Sequence, residues 1–463
     1  MTATTRRRTA AAIALAATAI LFLPSTPAWA DPPASGVVIE PPPAVTLPPE
    51  LDSFYRPAAD RIAAAQPGEI LRVRSILPAF FGLVPLNVDA WQLLYRTNDS
   101  HGQAIATVTT VLKPRGAAPE GGRKLLSYQI AEDSAAQYCA PSYVVQHGSL
   151  PVDYVNAAEP LIPLAAGVGQ GWTVTLPDYE GPNSAYGAAR LGAQATLDGI
   201  RAVENFQPAE LNGAATPAAL WGYSGGTIPT SFAAEITQDY APELNIVGTA
   251  SGGVAPADFA GIVRHNNGGL YAGLISAAFV GIATEYPDME SELRQHVNGL
   301  GQLILASKKV LCHPEGTALL PGFDYLGTSD GPDLLSLPGV GSAIADNTLG
   351  QRIPNIPVFL YHAQWDEIIP NIGTDRLVDK YCAAGAPSVT YERELLAEHI
   401  SGVLTHIPSA FNWIRDRLNG VPTSGCTVTS PVSAVTDPQF AQALSEILPP
   451  MAQALVGQAI GAS

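Results

Sequence analysis

The 463-residue sequence predicts an α/β fold: a mostly parallel sheet with helices on both faces and a helical lid insertion. Three observations predict it. Short apolar runs typical of strands alternate with helical runs, which is the pattern of parallel strands joined by helices. One serine stands between glycines where a strand-like run meets a helix-like run, in "GYSGG" at 222–226. Residues 255–350 then interrupt the alternation with long helix-like segments.

The first thirty residues are expected to be a secretory signal peptide and not part of the fold. Arg6, Arg7 and Arg8 precede the apolar stretch "AAAIALAATAILFL", and "AWA" ends at Ala30 with the small residues that a signal peptidase needs. A retained membrane anchor is the less favoured alternative, because the apolar stretch is short and a cleavage pattern follows it closely. The arginines suit either the general or the twin-arginine export route. A Pro-rich extended leader is predicted over 31–50.

The charge of the chain argues against several partners. Removing residues 1–30, which hold three arginines and no acidic residue, takes the formal net charge from −17 to −20. Such an acidic surface repels phosphate backbones, so we expect no nucleic-acid partner. It also offers no attraction to anionic lipid. Any contact with lipid is therefore expected to be apolar.

The α/β core is predicted over 51–254 and 351–430. Its first recognisable unit is a hairpin at 91–114, in which two strand-like runs flank the turn "NDSHG". The later elements follow in chain order: strands at 124–130 and 171–178, a helix at 185–206, a strand in "AALWGYS", strands at 356–370 and 388–395, and an amphipathic helix at 403–420 that ends at Gly420.

Residues 255–350 are interpreted as a lid or cap over the strand ends, and 431–463 as a polar linker with an apolar helical tail. The segment "GGLYAGLISAAFVGIA" (268–283) is shorter than the roughly 18 apolar residues that span a membrane. An isolated apolar helix is usually buried core. We expect instead that this segment roofs an acyl-binding cleft and exposes apolar surface at an interface, because charge cannot bind lipid here. Its apolar stripe is Leu270, Ile275, Phe279 and Ile282.

The stretch "WGYSGGT" at 221–227 fits G-x-S-x-G, the turn that presents a nucleophilic serine between a strand and a helix. A strand-like run precedes Ser224, and the helix-like "TIPTSFAAEI" follows, with Pro229 in its first turn, where proline is tolerated. An ordinary glycine turn is the alternative. The context favours Ser224 as a nucleophile, which then needs a base to take its proton.

In this fold the acid and the histidine follow the serine in that order. Asp366 comes just past the end of a predicted strand, and Glu367 is the alternative acid, since neighbouring residues on an extended turn point opposite ways. His399 is predicted in a loop between a strand and a helix, whereas His406 is predicted inside that helix. We therefore favour Ser224, Asp366 and His399. The other histidines considered are His313 and the predicted strand residue His362, whereas His265 and His296 fall in the helical insertion.

An oxyanion hole is the remaining need of such a site. The N–H of Gly225, the residue after the nucleophile, is expected to be one donor. The usual H-G-G-G motif is absent, and "YQIAEDSAAQYCAPSY" (128–143) stands in its place after an early strand. Asp133 can supply its N–H from there. An ionised Asp133 carboxylate repels a nearby oxyanion, so this side chain must be protonated or turned away.

The four cysteines are Cys139, Cys312, Cys382 and Cys426, and no two form a C-x-x-C pair. This spacing argues against a zinc site or thioredoxin-like redox chemistry. An even number of cysteines in a secreted chain suggests two disulfides. The residues alone allow three pairings.

Several motifs together resemble the secretory lipases of the Candida antarctica lipase A type, within the α/β-hydrolase superfamily. The resemblance runs from about Phe54 to Cys426. It departs from the family in the Pro-rich leader and within the lid at "SKKVLCHPEGTALLPGFDYLG". The motifs that carry it are "YQIAEDS…CAPSY", "LDGIRAVENF", "GYSGG", "YAPELNIVG", "PDMES", "WDEIIP" and "AEHISG…PSAFNWIRDRLNG".

The resemblance implies the same triad, Ser224, Asp366 and His399, and assigns Asp133 to the oxyanion hole beside Gly225. It also implies a helical lid at about 255–350. The disulfides that it implies are Cys139–Cys312 and Cys382–Cys426.

The sequence therefore predicts a secreted serine ester hydrolase, extracellular or associated with the cell envelope, that cleaves acylglycerols through an acyl-enzyme. Its expected partner is a lipid or ester at an interface, with no stable membrane insertion. We expect no cofactor and no metal. Alternatives are an acyltransferase or envelope-ester hydrolase with the same triad, a non-catalytic lipid-binding protein on this scaffold and, less favoured, a peptidase. The sequence does not give the oligomeric state.

Overall fold

A computed structural model describes residues 37–150, 153–306 and 312–461, without the side chains of 314–316. The predicted signal peptide and the first part of the Pro-rich leader lie outside the described residues. The described part of the leader is extended, and it contributes a short edge strand to the sheet at Val38–Glu40.

Thirteen strands lie in the described residues. They are β1 (Val38–Glu40), β2 (Ile70–Ser75), β3 (Ala79–Phe80), β4 (Val84–Pro85), β5 (Asp89–Asn98), β6 (Ala104–Lys113), β7 (Leu125–Gln129), β8 (Thr173–Pro177), β9 (Ala218–Tyr223), β10 (Ile246–Gly252), β11 (Val358–Ala363), β12 (Ser388–Glu394) and β13 (Gly425–Thr429).

Eleven of these strands form one mostly parallel sheet in the order β1-β2-β5-β6-β8-β7-β9-β10-β11-β12-β13. Strand β5 pairs antiparallel with β2 and β6, and β6 pairs antiparallel with β8. From β8 through β7 to β13 every neighbouring pair in the described sheet is parallel. The α/β prediction is confirmed, and the carboxyl ends of β7, β9 and β11 lie at one edge, where sites form in such sheets.

Fifteen α-helices lie in the described residues. They are α1 (Ala59–Ala64), α2 (Pro141–Val144), α3 (Tyr154–Ala158), α4 (Leu161–Ala166), α5 (Ala189–Glu204), α6 (Thr227–Tyr240), α7 (Phe259–Asn266), α8 (Ala272–Glu285), α9 (Pro287–His296), α10 (Gly299–Ala306), α11 (His313–Leu319), α12 (Pro338–Asp346), α13 (Ile372–Ala383), α14 (His399–Leu418) and α15 (Phe440–Leu455).

The helices cover both faces of the sheet. Successive residues of a strand point to opposite faces, and in β9 Leu220 packs in one apolar cluster while Trp221 packs in the other. The first cluster includes side chains of α5 and α6, and the second includes side chains of α4, α14 and α15. The tail beyond residue 430 is thus part of the second layer, through buried Ala443, Ile447 and Ala454.

The central strand β10 was not among the predicted strands. Its sequence, "IVGTASG", lacks the large apolar residues of a typical buried strand. The reason lies in its neighbours: a Cβ added at Gly248 would come within 2.5 Å of the Trp413 ring, and one at Gly252 within 1.9 Å of the Tyr361 ring. Aromatic rings from other elements occupy the space that side chains of β10 would fill.

The insertion between β10 and β11 is helical, as predicted, with α7 to α12 in its described residues. However, the apolar stripe of α8 is not a surface. Ile275, Phe279 and Ile282 are buried in the same cluster as the core helices, and the Phe279 ring centre lies 5.0 Å from that of Tyr325. Leu270 precedes the helix and is 64% exposed. For α8 the buried-core interpretation is therefore the right one.

Within the described residues, no helix combines the length and the apolar character needed to cross a membrane.

The burial of α8 gives a first prediction. Phe279→Ala should lower the free energy of unfolding by about 3–5 kcal/mol, because it leaves a cavity in a packed core. Leu270→Ala is the matched control in the same insertion, and it should change stability by less than about 0.5 kcal/mol. Urea denaturation of both variants measures the difference. Equal, small effects would mean that α8 is not core.

Candidate active site

Ser224 lies in a tight turn between β9 and α6. It has a left-handed backbone, with φ of 52°, and it starts a one-turn 3₁₀ helix, Ser224–Gly226. The flanking glycines permit this turn: a Cβ at Gly222 would lie 2.3 Å from the Gly226 carbonyl oxygen, and one at Gly226 would lie 2.1 Å from the Gln129 carbonyl oxygen. A serine in this conformation costs about 1–3 kcal/mol, which the surrounding packing has to offset.

The structure brings Ser224, His399 and Asp366 into one hydrogen-bonded series. His399 Nε2 lies 2.9 Å from Ser224 Oγ, and His399 Nδ1 lies 2.8 Å from Asp366 Oδ2. All three residues are buried. Because a carboxylate can only accept, Nδ1 carries the proton, which leaves Nε2 free to accept the serine proton. Both distances are within reach of direct proton transfer.

The residue that precedes His399 fixes the start of α14. The sequence predicted His399 in a loop, but it is the first residue of the helix, four residues before the predicted start. Glu398 caps the helix: its carboxylate accepts from the N–H groups of Ile400 and Ser401. Tyr223, at the end of β9, donates its hydroxyl proton to the His399 carbonyl oxygen at 2.6 Å.

The electrostatics of the pair favour an ionised Asp366. Burial by itself would raise the pKa of Asp366, but His399 and His362 outweigh it and hold the pKa below its ordinary range. Burial would likewise lower the pKa of His399, but the carboxylates of Asp366, Glu367 and Asp133 outweigh it and raise that pKa. A base with a raised pKa matches a proton-transfer role.

Asp133 lies beside Gly225, the residue after the serine. It follows β7 in a left-handed backbone, with φ of 45°, and it is buried. A Cβ at Gly225 would come within 1.5 Å of Asp133 Oδ1, so the carboxyl group occupies the space beside the Gly225 backbone. Neither the Asp133 N–H nor the Gly225 N–H takes part in the hydrogen bonds of the described turns and loops.

The Asp133 carboxyl favours its neutral form more than an exposed aspartate does. Burial raises its pKa, and this effect outweighs His313, Tyr186 and His399, which lower it. Two residues of the insertion lie near the Asp133 carboxyl group or near Tyr186, which hydrogen-bonds to it. His313 Nδ1 lies 3.8 Å from Asp133 Oδ2, and Gly281 of α8 packs against the backbone of Tyr186.

Both disulfides have the pairing that the resemblance implies. Cys139 pairs with Cys312, which connects the segment after Asp133 to the insertion next to His313. Cys382 pairs with Cys426, which connects α13 to β13. Among the described residues one group, Cys139, Asp153 and Cys312, has metal-binding spacing, but both of its sulfurs are in the disulfide and cannot act as thiolate ligands.

The other sequence candidates lie outside the series. Glu367 Oε2 accepts from the His399 backbone N–H, and Glu367 Oε1 accepts from Tyr271, so this acid supports the backbone instead. His406 is buried about two helix turns further along α14, where its Nδ1 lies 3.0 Å from the Gly402 carbonyl oxygen. His362, predicted to be a plain strand residue, does contact Asp366, with Nε2 3.2 Å from Oδ2. The sequence indicated this contact only through spacing, because His362 lies four residues before Asp366.

Comparison with known proteins gives one family. The profile of the family described as "Secretory lipase" matches residues 150–426. A protein of Mycobacterium tuberculosis (strain CDC 1551 / Oshkosh), named "Probable inactive lipase MT1628", is 35% identical over 412 residues, covering 89% of this chain and 91% of that protein. "Lipase A" of Arthroderma benhamiae is 36% identical over 435 residues, covering 90% of this chain and 89% of that protein.

The fold is also found among solved structures. The crystal structure of Candida antarctica lipase A has a TM-score of 0.81 to this chain at 30% sequence identity. The match covers 90% of this chain and 99% of the other.

The raised pKa of His399 gives a second prediction. Asp366→Asn removes the largest of the influences that raise it, so the pKa of His399 should fall. Because the base must be unprotonated, the acidic limb of any residual activity should move to lower pH. Imidazole NMR titration measures the pKa without turnover. Glu367→Gln is the control and should lower it less; an equal or greater effect of Glu367→Gln would contradict the assignment of Asp366.

Proposed function

This chain belongs to the secretory lipase family, and from that membership we propose that it is a lipase that hydrolyses acylglycerol esters with Ser224, His399 and Asp366. The observation that carries the proposal is the buried series from Ser224 Oγ through His399 to Asp366, with contacts of 2.9 and 2.8 Å. A serine hydroxyl is a weak nucleophile, and this arrangement supplies the base that activates it.

In the first half-reaction His399 Nε2 takes the proton of Ser224 Oγ as that oxygen attacks the ester carbonyl carbon. The carbonyl oxygen becomes an oxyanion, and in this proposal it accepts hydrogen bonds from the N–H groups of Gly225 and Asp133. The new positive charge on His399 faces the ionised Asp366, which stabilises it. His399 then gives the proton to the alcohol as the ester bond breaks, and the acyl group stays on Ser224.

In the second half-reaction a water molecule takes the place of the alcohol. His399 accepts a proton from this water, and the resulting hydroxide equivalent attacks the acyl carbon. The second oxyanion uses the same two N–H groups. Return of the proton from His399 to Ser224 Oγ releases the fatty acid and restores the enzyme.

An apolar surface beside the triad supports a lipid substrate. It consists of Trp365, Leu396, Ile400 and Leu404, named here the Trp365 surface, and all four are exposed, Trp365 by 68%. The Trp365 N–H donates to the Ala397 carbonyl oxygen, which joins the two loops, and Ile400 and Leu404 lie on successive turns of α14. Clustered exposed apolar side chains of this kind mark interaction surfaces.

The position of the Trp365 surface and the net charge of the protein favour a neutral lipid as the substrate. Trp365 precedes Asp366 and Ile400 follows His399 in the sequence, so the backbone that carries the Trp365 surface also carries two residues of the triad. The formal net charge is −17 for the full chain and −20 without residues 1–30, and such a charge repels anionic lipid. When uncharged acyl chains replace water over these side chains, the free energy gained is about 25 cal/mol per Å² of apolar surface removed from water.

We further propose secretion. Residues 1–30 have the pattern of an export signal, and both disulfides suit an oxidising compartment. The relative named as inactive supplies a second candidate function, a non-catalytic lipid-binding protein.

The third prediction separates these two functions. Ser224→Ala should reduce hydrolysis of p-nitrophenyl esters by about 10⁴-fold or more, because the nucleophile is lost. Ser231→Ala is the matched control: Ser231 is buried in α6 just after the turn and bonds to Ser251 instead. It should keep at least about half of the activity. A wild-type protein that binds ester emulsions but hydrolyses none would be the non-catalytic candidate.

A fourth prediction concerns the lipid surface. The double variant Trp365→Gln, Leu404→Gln should reduce hydrolysis of emulsified long-chain acylglycerol by about tenfold or more, since each exposed apolar side chain can contribute about 1.5 kcal/mol or more of transfer energy. Hydrolysis of soluble p-nitrophenyl butyrate should change by less than about twofold.

Leu303→Gln is the control for this variant. Leu303 is similarly exposed, at 63%, but lies on α10 of the insertion. A loss confined to Leu303→Gln would move the lipid-binding surface to the insertion, as the sequence alone suggested. Equal losses on soluble and emulsified substrates would mean that the Trp365 surface acts on the chemistry and not on lipid contact.

A further inference from the structure

A second histidine contacts the carboxylate of the triad. His362 lies on β11, and its side chain is fully buried beside Asp366. Its Nε2 is 3.2 Å from Asp366 Oδ2 and 2.8 Å from the Ile369 carbonyl oxygen. Its Nδ1 is 2.9 Å from Oγ1 of Thr374, a buried residue of α13. Both ring nitrogens are therefore held by neighbours from separate parts of the chain.

The neighbours of His362 determine where its proton is. A backbone carbonyl and a carboxylate face Nε2, and both groups can only accept hydrogen bonds. Nε2 must therefore carry a proton, because a bare nitrogen there would face two acceptors. The Thr374 hydroxyl can donate to Nδ1, which satisfies the ring in its neutral form. The Nε2–H then donates to the Ile369 carbonyl oxygen, and the positive edge of the ring also lies against Asp366 Oδ2.

Asp366 accepts hydrogen bonds from three N–H groups, and the His362 ring lies against the same carboxylate. Its Oδ2 faces both His399 Nδ1, at 2.8 Å, and His362 Nε2, at 3.2 Å. Its Oδ1 accepts from the backbone N–H groups of Ile368 and Ile369, at 3.1 and 2.7 Å. With donors on both oxygens, the carboxylate plane is fixed and a buried negative charge is stabilised.

We propose that His362 is a positioning residue of the triad: its Nε2–H holds Asp366 ionised and oriented toward His399 while His399 gains and loses its proton. The inference rests on the proposed function, since it concerns the same triad. His362 neither touches the ester nor transfers a proton. It acts through Asp366, whose orientation decides whether the charge that forms on His399 is stabilised.

The position of His362 implies a direction for pH dependence. Without the His362 donor, Asp366 is less stabilised and binds the His399 proton more strongly, which raises the pKa of His399. The acidic limb of kcat/KM then moves to higher pH, and any protonation of Asp366 itself moves the limb the same way. The other titratable groups around the pair, which stay constant in the comparison, are Asp133, Tyr223, Tyr271, Glu367, Glu398 and His406.

The fifth prediction uses two substitutions of His362. His362→Leu fills a similar volume without an N–H, and should lower kcat by about 10- to 100-fold, the range for a lost hydrogen bond to a charged group. KM should change by less than about twofold, and the acidic limb should move up. His362→Gln places an amide N–H near the Nε2 position, and should recover most of kcat and the wild-type limb.

The matched control is His406→Leu. His406 is a buried histidine that stacks on Tyr361, the neighbour of His362, but it bonds to Gly402 and not to Asp366. It should lower the melting temperature without moving the acidic limb. If His362→Leu keeps wild-type kcat and pH profile, or if His362→Gln is as impaired as His362→Leu, the positioning role is refuted.

Two further measurements keep the test decisive. If His362→Leu does not fold, Thr374→Val removes the hydroxyl that orients the His362 ring and should move the limb the same way by a smaller amount; no movement refutes the role. NMR titration of His399 needs no turnover. A wild-type protein without esterase activity would refute the proposed function, whereas an unchanged His399 pKa in His362→Leu would refute only the role of His362.

Discussion

The buried negative charge of Asp366 is the feature on which the site depends. A carboxylate without water must be paired and hydrogen-bonded, or it takes up a proton. The groups that satisfy Asp366 come from β11, from the loop that follows it and from the first residue of α14. The insertion supports the same loop, because Asn266 of α7 donates to the Ile368 carbonyl oxygen. Hydrogen bonds around Asp366 and its loop therefore connect β11, α14 and the insertion.

At Gly225, the residue after the serine, the constraint on the site is steric. Ser224 and Asp133 both have left-handed backbones, and the Asp133 carboxyl group lies where a side chain of residue 225 would be. A glycine at 225 thus serves two purposes, a tight turn and contact with the neighbouring loop. The insertion reaches this part of the site as well, through the Cys139–Cys312 disulfide and His313. The insertion therefore contacts and supports the loop that carries Asp133.

Much of this arrangement could be predicted, because it depends on local patterns. The hairpin of β5 and β6, the turn at Ser224 and the placement of Asp366 after β11 follow from turn residues and strand periodicity. Strand β10 could not be recognised, because its glycines make room for Trp413 and Tyr361, which are distant in sequence. The start of α14 was misplaced because Glu398, a less usual helix cap than serine or aspartate, ends the loop.

The sequence by itself determined the class of fold, the order of serine, acid and histidine, and the residues able to fill those roles. Each of these depends on neighbours within a few positions along the chain. Only the tertiary structure decided that the apolar stripe of α8 is core and that Trp365, Leu396, Ile400 and Leu404 are exposed. Burial and hydrogen-bond partners are set by what packs across the sheet, and chain periodicity carries no record of that.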